Sequence, residues 1–294
     1  MAETTTTTLT ELILAKAVDR LIIAYQYDDV MFVPFFRFKS MVGESATQAS
    51  FPRWVKDAHS DALASDETAS LTAETLETTT VDISLSRVGI YREIAENSFE
   101  DTILGRAALM SEIVMDTAQL LGEALDEDGA AEFANAASNV TDSGNPTEVL
   151  DIVEAMGTQR ANKAKGPQVI CLSDEQLKDL QRGQVAATAT PWASFYQPSA
   201  DSTQFGGYFM NAPIFASSKT TTANTGANDV GCVFARGDVS PRFCAFAYAL
   251  KRLPTTKMDE TIEKDTHKVV TISRYGVGTP ATNFATKIVT DAAG

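Results

Sequence analysis

This 294-residue sequence has few of the residues on which many enzymes and metalloproteins depend. It contains three cysteines, Cys171, Cys232 and Cys244, and two histidines, His59 and His267. Their spacing fits no zinc site. An odd number of widely separated cysteines favours buried, reduced thiols over a disulfide framework. We therefore expect no metal, no cofactor and no structural disulfide.

The shortage of histidine also limits the catalytic sites that the sequence can encode. A serine- or cysteine-based triad would have to use His59 or His267. His59 lies in a polar segment, and His267 lies beside an alternating strand, where it is expected on the solvent face. The acidic residues are scattered and are typical of a solvated surface. The sequence predicts a protein that is not an enzyme, with a soluble α/β enzyme kept as a third alternative.

Positive charge and long apolar runs are also scarce. There are 24 basic against 39 acidic residues, which gives a formal net charge of −15. Such a chain repels phosphate and anionic lipid unless its basic residues cluster, and no basic run is present. The apolar run Phe243–Leu250 is too short to cross a bilayer. The N-terminal sequence, acidic and threonine-rich, does not resemble a signal peptide. We expect cytosolic synthesis, no membrane partner and no sequence-specific DNA binding.

A long helix is the strongest local prediction. Ser98 is the expected N-cap, and apolar residues then repeat at steps of three and four as far as Leu125. A helix of this length spans about 40 Å, which is long for a globular protein. We expect it to form a spine with a buried stripe that includes Leu121, and to end at Gly129. A shorter amphipathic helix is predicted over Thr8–Tyr25.

A protruding β-hairpin is predicted ahead of the spine. Gln48–Lys56 is typical of an edge strand, and Val81–Leu85 alternates apolar with polar side chains. Between them, Asp57–Thr80 has too few large apolar residues to form its own core. Ser40–Tyr91 is therefore expected to form a long two-stranded ribbon that another chain supports.

The second half of the sequence alternates between helices and strands. Ser138–Thr147 has the composition of a linker, and the state of Arg242–Leu253 is ambiguous. The predicted elements after the linker are helices at Thr147–Lys163 and Ser173–Arg182, with a Ser173/Gln176 capping box, and strands at Pro167–Leu172, Phe205–Ser217 and Asp229–Asp238. This pattern favours a compact α/β lobe.

Gly276–Ala281 fits the G-x-G-x-x-A pattern of a dinucleotide-binding loop. That loop needs a following helix, a second strand and an acidic residue about 20 positions further on. Pro280 stands where the helix should open, and no acid occurs before Asp291. We therefore interpret the glycines as a turn in a terminal hairpin whose second strand is Phe284–Val289.

Four stretches, taken in order, resemble the major capsid protein of tailed double-stranded DNA bacteriophages. They are VDISLSRVGIYREIAENSFEDT, GPQVICLSDEQLKDLQ, GGYFMNAPIFASS and VVTISRYGVGTPATNFATKIV. They are similar to that family's ribbon return, the start of its axial domain, a strand turn and its closing strands. In the third stretch Asn211 and Ala212 stand where the family commonly has a glycine.

The resemblance implies an α+β Hong Kong 97-like capsid fold. It places an N-terminal arm at 1–39, an extended β-hairpin loop at 40–91, a peripheral domain with the spine helix at 92–144 and 255–294, and an axial α/β domain at 145–254. The implied function is self-assembly into hexamers and pentamers that form an icosahedral head shell around packaged double-stranded DNA. Portal, scaffolding and decoration proteins are implied partners, and the implied location is the virion, after assembly in the host cytoplasm. A non-viral, encapsulin-like shell is the alternative.

The resemblance also implies which segments of the chain contact neighbouring subunits. The ribbon would lie over a neighbouring subunit, and the arm would reach another. The positive and aromatic residues expected at these contacts are Arg53, Trp54, Lys56, Arg87 and Arg92. Tryptophan and arginine are common anchors of protein interfaces.

Overall fold

The computed structural model describes residues 30–54, 78–95, 105–142, 145–164, 166–186, 196–197, 205–220, 222–223, 228–261 and 266–291. Within these ranges the helices are α1 (Gly105–Ala131), α2 (Val149–Ala161) and α3 (Asp174–Ala186). The strands are β1 (Arg37–Ser40), β2 (Gln48–Trp54), β3 (Thr78–Ser84), β4 (Ser86–Ala95), β5 (Ser138–Asp142), β6 (Gln168–Leu172), β7 (Tyr196–Gln197), β8 (Phe205–Phe209), β9 (Ala212–Ala216), β10 (Thr222–Ala223), β11 (Asn228–Ala235), β12 (Ala247–Thr261), β13 (Thr266–Gly278) and β14 (Ala285–Asp291). The predicted helix over Thr8–Tyr25 lies outside the described residues.

The strands form three sheets. One is four-stranded, in the order β1-β12-β13-β4. The second is eight-stranded: β5-β14-β11-β6-β9-β8-β7, with β10 paired to β11. In the third, β2 and β3 pair with each other in an antiparallel register from Gln48–Ser84 to Trp54–Thr78. We call this two-stranded pair the ribbon.

Helix α1 is the predicted spine. It is 27 residues long, and its apolar stripe packs on the four-stranded sheet. Val114, Ala118 and Leu121 contact Val88 and Ile90 of β4 there. The prediction of a long helix with this buried stripe is confirmed over the described part; its expected cap, Ser98, lies outside it.

The predicted end of the spine at Gly129 is wrong. Helix α1 continues to Ala131 and passes into a 3₁₀ turn at Glu132–Asn135. The glycine serves close packing instead, because a Cβ at this position would stand only 2.9 Å from Cγ2 of Val33.

The segment ahead of β1 belongs to the core of its own chain. Phe32 and Phe36 are fully buried, and they pack with Phe133, Phe234 and Phe246. Ring centroids of Phe36 and Phe246 are 5.1 Å apart, and those of Phe32 and Phe133 are 5.4 Å apart. The resemblance implies that the arm at 1–39 reaches another subunit, and this segment is the last part of that arm. It instead forms a 3₁₀ turn at Val33–Phe35 and joins the eight-stranded sheet to the four-stranded one.

Helices α2 and α3 pack on the face of the eight-stranded sheet that includes Ile170, Val233 and Ile288. The predicted capping box is present: the Gln176 N–H donates to Ser173 Oγ at 3.0 Å, and the Ser173 N–H donates to Gln176 Oε1 at 3.1 Å. The fully buried Gln176 amide also donates to the Thr290 hydroxyl at 2.9 Å, which ties α3 to β14.

Three other local predictions need correction. The expected linker at 138–147 begins with a strand, β5, which pairs parallel with β14. The ambiguous segment after Arg242 becomes a strand from Ala247 onward. The expected terminal hairpin does not form, because β13 pairs with β12 and β4 while β14 pairs with β11 and β5.

The three cysteines are free and buried, as predicted. Cys171 and Cys232 face each other across β6 and β11, and burial raises the pKa of both thiols. Burial also raises the pKa of Cys244 to about 12. The described residues hold no cluster of three or more His, Cys, Asp or Glu side chains that could bind a metal. No described helix is long and apolar enough to cross a membrane.

Candidate assembly surfaces

The ribbon is seated on the four-stranded sheet through a small apolar core. Phe51 and Ile83 of the ribbon are buried against Ala247 and Ala249 of β12. The neighbouring β13 residue, Gly276, lies so close to the ribbon that a Cβ there would overlap the carbonyl oxygen of Ser84.

These contacts explain the glycine motif. Gly276 and Gly278 lie at the end of β13, opposite Ala249 and Ala247 of β12. A Cβ on Gly278 would approach Ile83 Cγ1 at 2.9 Å. The two glycines and two alanines make a flat platform on which the ribbon packs, and they form neither a nucleotide loop nor the predicted turn.

Positively charged side chains border this platform. Arg37 and Lys39 of β1 lie over the Phe51 ring, with their charged groups 5.5 Å and 5.9 Å from its centroid. Distances of this size permit cation–π attraction. The same two side chains donate to the carbonyl oxygens of Pro52 and Ser50 on β2. The ribbon is therefore fixed at its base by its own chain.

The predicted contact residues divide between the ribbon and the four-stranded sheet. Arg53 and Trp54 end β2, two and three residues after the seated Phe51, opposite Thr79 and Thr78. Lys56 lies outside the described residues.

The predicted ribbon extends too far at its C-terminal end, because β4 belongs to the four-stranded sheet. Arg87 is exposed on β4 in register with Arg274 of β13. Arg92 was expected to contact a neighbouring subunit, but its guanidinium forms an ion pair with Asp116 on α1 of the same chain.

Beyond the ribbon's seat, one face of the four-stranded sheet carries exposed side chains of β4. Alternation along β4 places Val88 and Ile90 against α1 and turns Arg87 and Tyr91 to the opposite side. Tyr91 is 55 % exposed. In the neighbouring strand β13, half-buried Val270 stands in register with it. We call this surface the open face.

The outward side of α1 is acidic. Glu112 and Glu127 are exposed there, and Asp116 and Glu123 lie on the same helix. Asp128 accepts a hydrogen bond from the Tyr275 hydroxyl at 2.8 Å, and Glu123 pairs with Lys219 at 3.0 Å. The helix thus carries an apolar stripe toward its own sheet and an acidic stripe on the other side.

A buried carboxylate fixes the point where the N-terminal segment enters the core. The two Asp126 side-chain oxygens accept hydrogen bonds from the Met31 and Phe32 N–H groups, both at 2.9 Å. Burial raises the pKa of Asp126 to about 6, although these N–H groups oppose the shift. Sequence reasoning missed this residue; the available signal was an acid at a buried position beside Leu125 on an otherwise regular helix.

Only one of the two histidines lies in the part of the chain that the structure describes. His267 is half-buried on β13, where it stands in register with Ile94 and Glu260. His59 lies outside the described residues.

No protein-family model and no curated protein sequence matches this chain. Solved structures do match, over nearly its full length. The cyanophage P-SCSP1u capsid aligns with a TM-score of 0.64 at 13% identity, covering 89% of this chain and 88% of that one. The mature capsid of bacteriophage PhiM1 aligns with a TM-score of 0.62 at 11% identity, covering 90% and 88%.

This chain has the Hong Kong 97-like capsid fold. An encapsulin complex from Synechococcus elongatus shares the fold, with a TM-score of 0.65 at 9% identity and coverage of 88% of this chain and 86% of that one. The Hong Kong 97-like architecture accounts for the combination of a seated ribbon, a spine helix and a lobe built on the eight-stranded sheet.

Proposed function

We propose that this protein is a structural shell subunit that assembles with copies of itself into pentamers and hexamers of a bacteriophage head. The observation that carries the proposal is the match to phage capsid structures over almost the whole of both chains. The similar structures are phage capsids and an encapsulin complex, which supports a structural role. The enclosed cargo in this proposal is double-stranded DNA, and the location is the virion, after assembly in the host cytoplasm.

The surfaces of the single chain support assembly. A two-stranded ribbon exposes unpaired backbone groups along its edges and is marginal alone in water. The open face displays the large side chain of Tyr91. Features of both kinds are stabilised when another copy covers them.

We propose the following roles for the segments of the chain. Residues 1–39 supply an arm that reaches a neighbour through its first part, since residues 30–39 pack in their own subunit. Residues 40–85 supply the extended loop, because β4 belongs to the four-stranded sheet. Residues 86–144 with 255–294 supply the peripheral domain, and 145–254 supply the axial domain around the capsomer centre. Portal, scaffolding and decoration proteins complete the head in this proposal.

Charge suggests where the ribbon of one subunit meets the next. Arg53 and Trp54 end β2, and Lys56 follows two residues later in the sequence, whereas the outward side of α1 carries exposed acids such as Glu112 and Glu127. We propose that the ribbon end lies on the acidic stripe of a neighbour's spine helix, with Trp54 as the apolar anchor and Arg87 contributing from the open face. Arg92 is left out because Asp116 of the same chain is its partner.

An encapsulin-like compartment is the second candidate, since the encapsulin complex matches as well as the phage capsids do. The two candidates differ in their contents. Particles purified from infected cells should retain double-stranded DNA that resists nuclease if the chain builds a phage head. Particles that hold a single enriched protein and no protected DNA would contradict the phage-head proposal and favour an encapsulin-like compartment.

A further inference from the structure

Four cationic side chains hold the base of the ribbon by its backbone. On the outgoing leg, Arg37 Nη1 donates to the Pro52 carbonyl at 3.3 Å and Lys39 Nζ to the Ser50 carbonyl at 3.0 Å. Lys251 Nζ donates to the carbonyl of Ala46. On the return leg, Arg274 Nε donates to the Leu85 carbonyl at 3.2 Å. We call Arg37, Lys39, Lys251 and Arg274 the clamp.

The clamp uses backbone groups that the ribbon itself leaves free. In a two-stranded ribbon, alternate carbonyls of each strand point away from the partner strand. Pro52 has no N–H to give to a ladder, so its position in β2 faces outward. Ser50, two residues earlier, faces the same way. The carbonyls of both residues accept hydrogen bonds from clamp side chains of β1.

The platform and the clamp restrain the ribbon in two directions. The flat surface of Ala247, Ala249, Gly276 and Gly278 lies beneath it and sets how closely it approaches the sheet. The clamp holds its legs from the side and resists rotation across that surface. Neither restraint depends on a neighbouring subunit.

Small rotations at the clamp displace the part of the ribbon beyond it. Clamp side chains bind the Ser50 and Pro52 carbonyls, which lie four and two residues before Trp54, or about 13 Å and about 7 Å along the strand. A tilt of about 10° at the clamp would therefore displace Trp54 by about 1–2 Å, enough to disturb close packing at a contact.

We propose that the clamp fixes the angle at which the ribbon leaves the subunit, and that this angle selects the curvature and hence the size of the shell. This rests on the proposed function, because the ribbon transmits its direction only if it lies on a second copy. The clamp residues are positioning residues, because they act on the neighbour through the ribbon that they hold.

The test compares two triple variants of the full chain. The clamp variant carries Arg37→Met, Lys39→Met and Lys251→Met, which keep the apolar stems and remove the charges. The control carries Arg160→Met, Lys178→Met and Arg182→Met, which remove equal charge from exposed positions on α2 and α3. The single variant Lys39→Met is a milder form if the triple variant folds poorly.

Two measurements distinguish the effect of the clamp on the ribbon from its effect on the shell. Hydrogen exchange of unassembled subunits reports on backbone amides of 48–54 and 78–84. We expect exchange there to be about tenfold faster in the clamp variant than in the control, since charge-assisted hydrogen bonds are lost. Electron microscopy of assembled particles reports on shell diameter. We expect one diameter for the parent and the control, and a mixture of diameters for the clamp variant.

Unchanged exchange in the ribbon would overturn the clamp itself. Faster exchange with a single, unchanged shell diameter would overturn its role in size selection. If the parent protein builds no shell under any condition, the proposed function is wrong, and so is the proposal that the clamp selects shell size. The hydrogen-exchange result then decides by itself whether the clamp orients the ribbon.

Discussion

Adjacent leucines on the spine helix have opposite environments. Leu121 is fully buried between α1 and the four-stranded sheet, whereas Leu120 is 41% exposed. Leu121→Asp places a charge without a partner in the core, at a cost on the order of the whole stability margin, about 5 kcal/mol or more. Leu120→Asp is the matched control and should change the free energy of unfolding by less than about 1 kcal/mol. Urea unfolding followed by circular dichroism measures both, and equal midpoints would contradict the buried stripe.

The buried carboxyl of Asp126 should make stability depend on pH. Its pKa in the folded chain is about 6, above its ordinary value of 3.8. The folded state therefore binds the proton more tightly, and this group adds stability as the pH falls from about 6 toward 4, by about 3 kcal/mol at most. That contribution is lost again as the pH rises through 6.

Asp126→Asn should remove this dependence. The difference in unfolding free energy between the parent and Asp126→Asn, measured by urea titration at several pH values, should change between pH 4 and 6 and flatten above pH 7. Glu127→Gln supplies the same change of charge at an exposed neighbour. A difference for Asp126→Asn that is flat across this range would show that the carboxyl is not buried as described.

At the level of elements, the platform under the ribbon predicts that Gly276 cannot be replaced without loss of stability. In Gly276→Ala the new methyl group would overlap the Ser84 carbonyl oxygen, so the ribbon base must move. We expect a loss of about 1–3 kcal/mol, as for other overpacked sites. Gly157→Ala on α2 is the control, since no atom lies within 4 Å of its Cβ position; it should stabilise by about 0.5–1 kcal/mol. Thermal melting that ranks the two variants the other way would refute the platform.

Local sequence patterns predict the elements here well. The stripe through Leu121 indicates the spine, alternation from Val81 to Leu85 indicates a ribbon strand, and the Ser173/Gln176 box marks the start of α3. Each of these patterns lies within a single helix or a single strand. Residues close together in the sequence are therefore enough to specify it.

Pairing between distant segments is what the sequence does not reveal. A period of two indicates that β13 and β14 are strands, but not that they belong to different sheets. β5 looks like a linker because Val140 is its only large apolar residue, and it becomes a strand because β14 lies beside it. Glycine is ambiguous for the same reason: Gly129 and Gly276 permit close approach of segments far away in the sequence.

The assembly contacts of the candidate site could be predicted only in outline. Basic and aromatic residues near the ribbon stand out in an acidic chain, and the resemblance suggests their role. The structure then shows that Arg92 has a partner on α1 and that Arg87 lies on a different sheet from the ribbon. The clamp residues were missed, because Lys251 and Arg274 reach the ribbon from strands more than 150 residues later in the chain.

At the scale of the whole molecule, the ribbon links the fold to assembly. Replacing Asp57–Ser70 by a short glycine–serine turn leaves the seat of Phe51 and Ile83 intact, so the subunit should remain folded. It removes the segment between the two ribbon strands, for which we expect support from a neighbouring subunit. Analytical sedimentation should show slow subunits or capsomers in place of fast particles. Shells of normal size and heat resistance from the shortened chain would rule out a mechanical role for the ribbon.

The most direct test of the central claim is electron cryomicroscopy of the purified protein. The account predicts closed icosahedral particles in which this chain occupies both pentamers and hexamers, with each ribbon lying on an adjacent copy and the acidic stripe of α1 at that contact. A protein that stays monomeric, or that forms only small open oligomers with the ribbon free in solvent, would contradict the claim that this chain builds a shell.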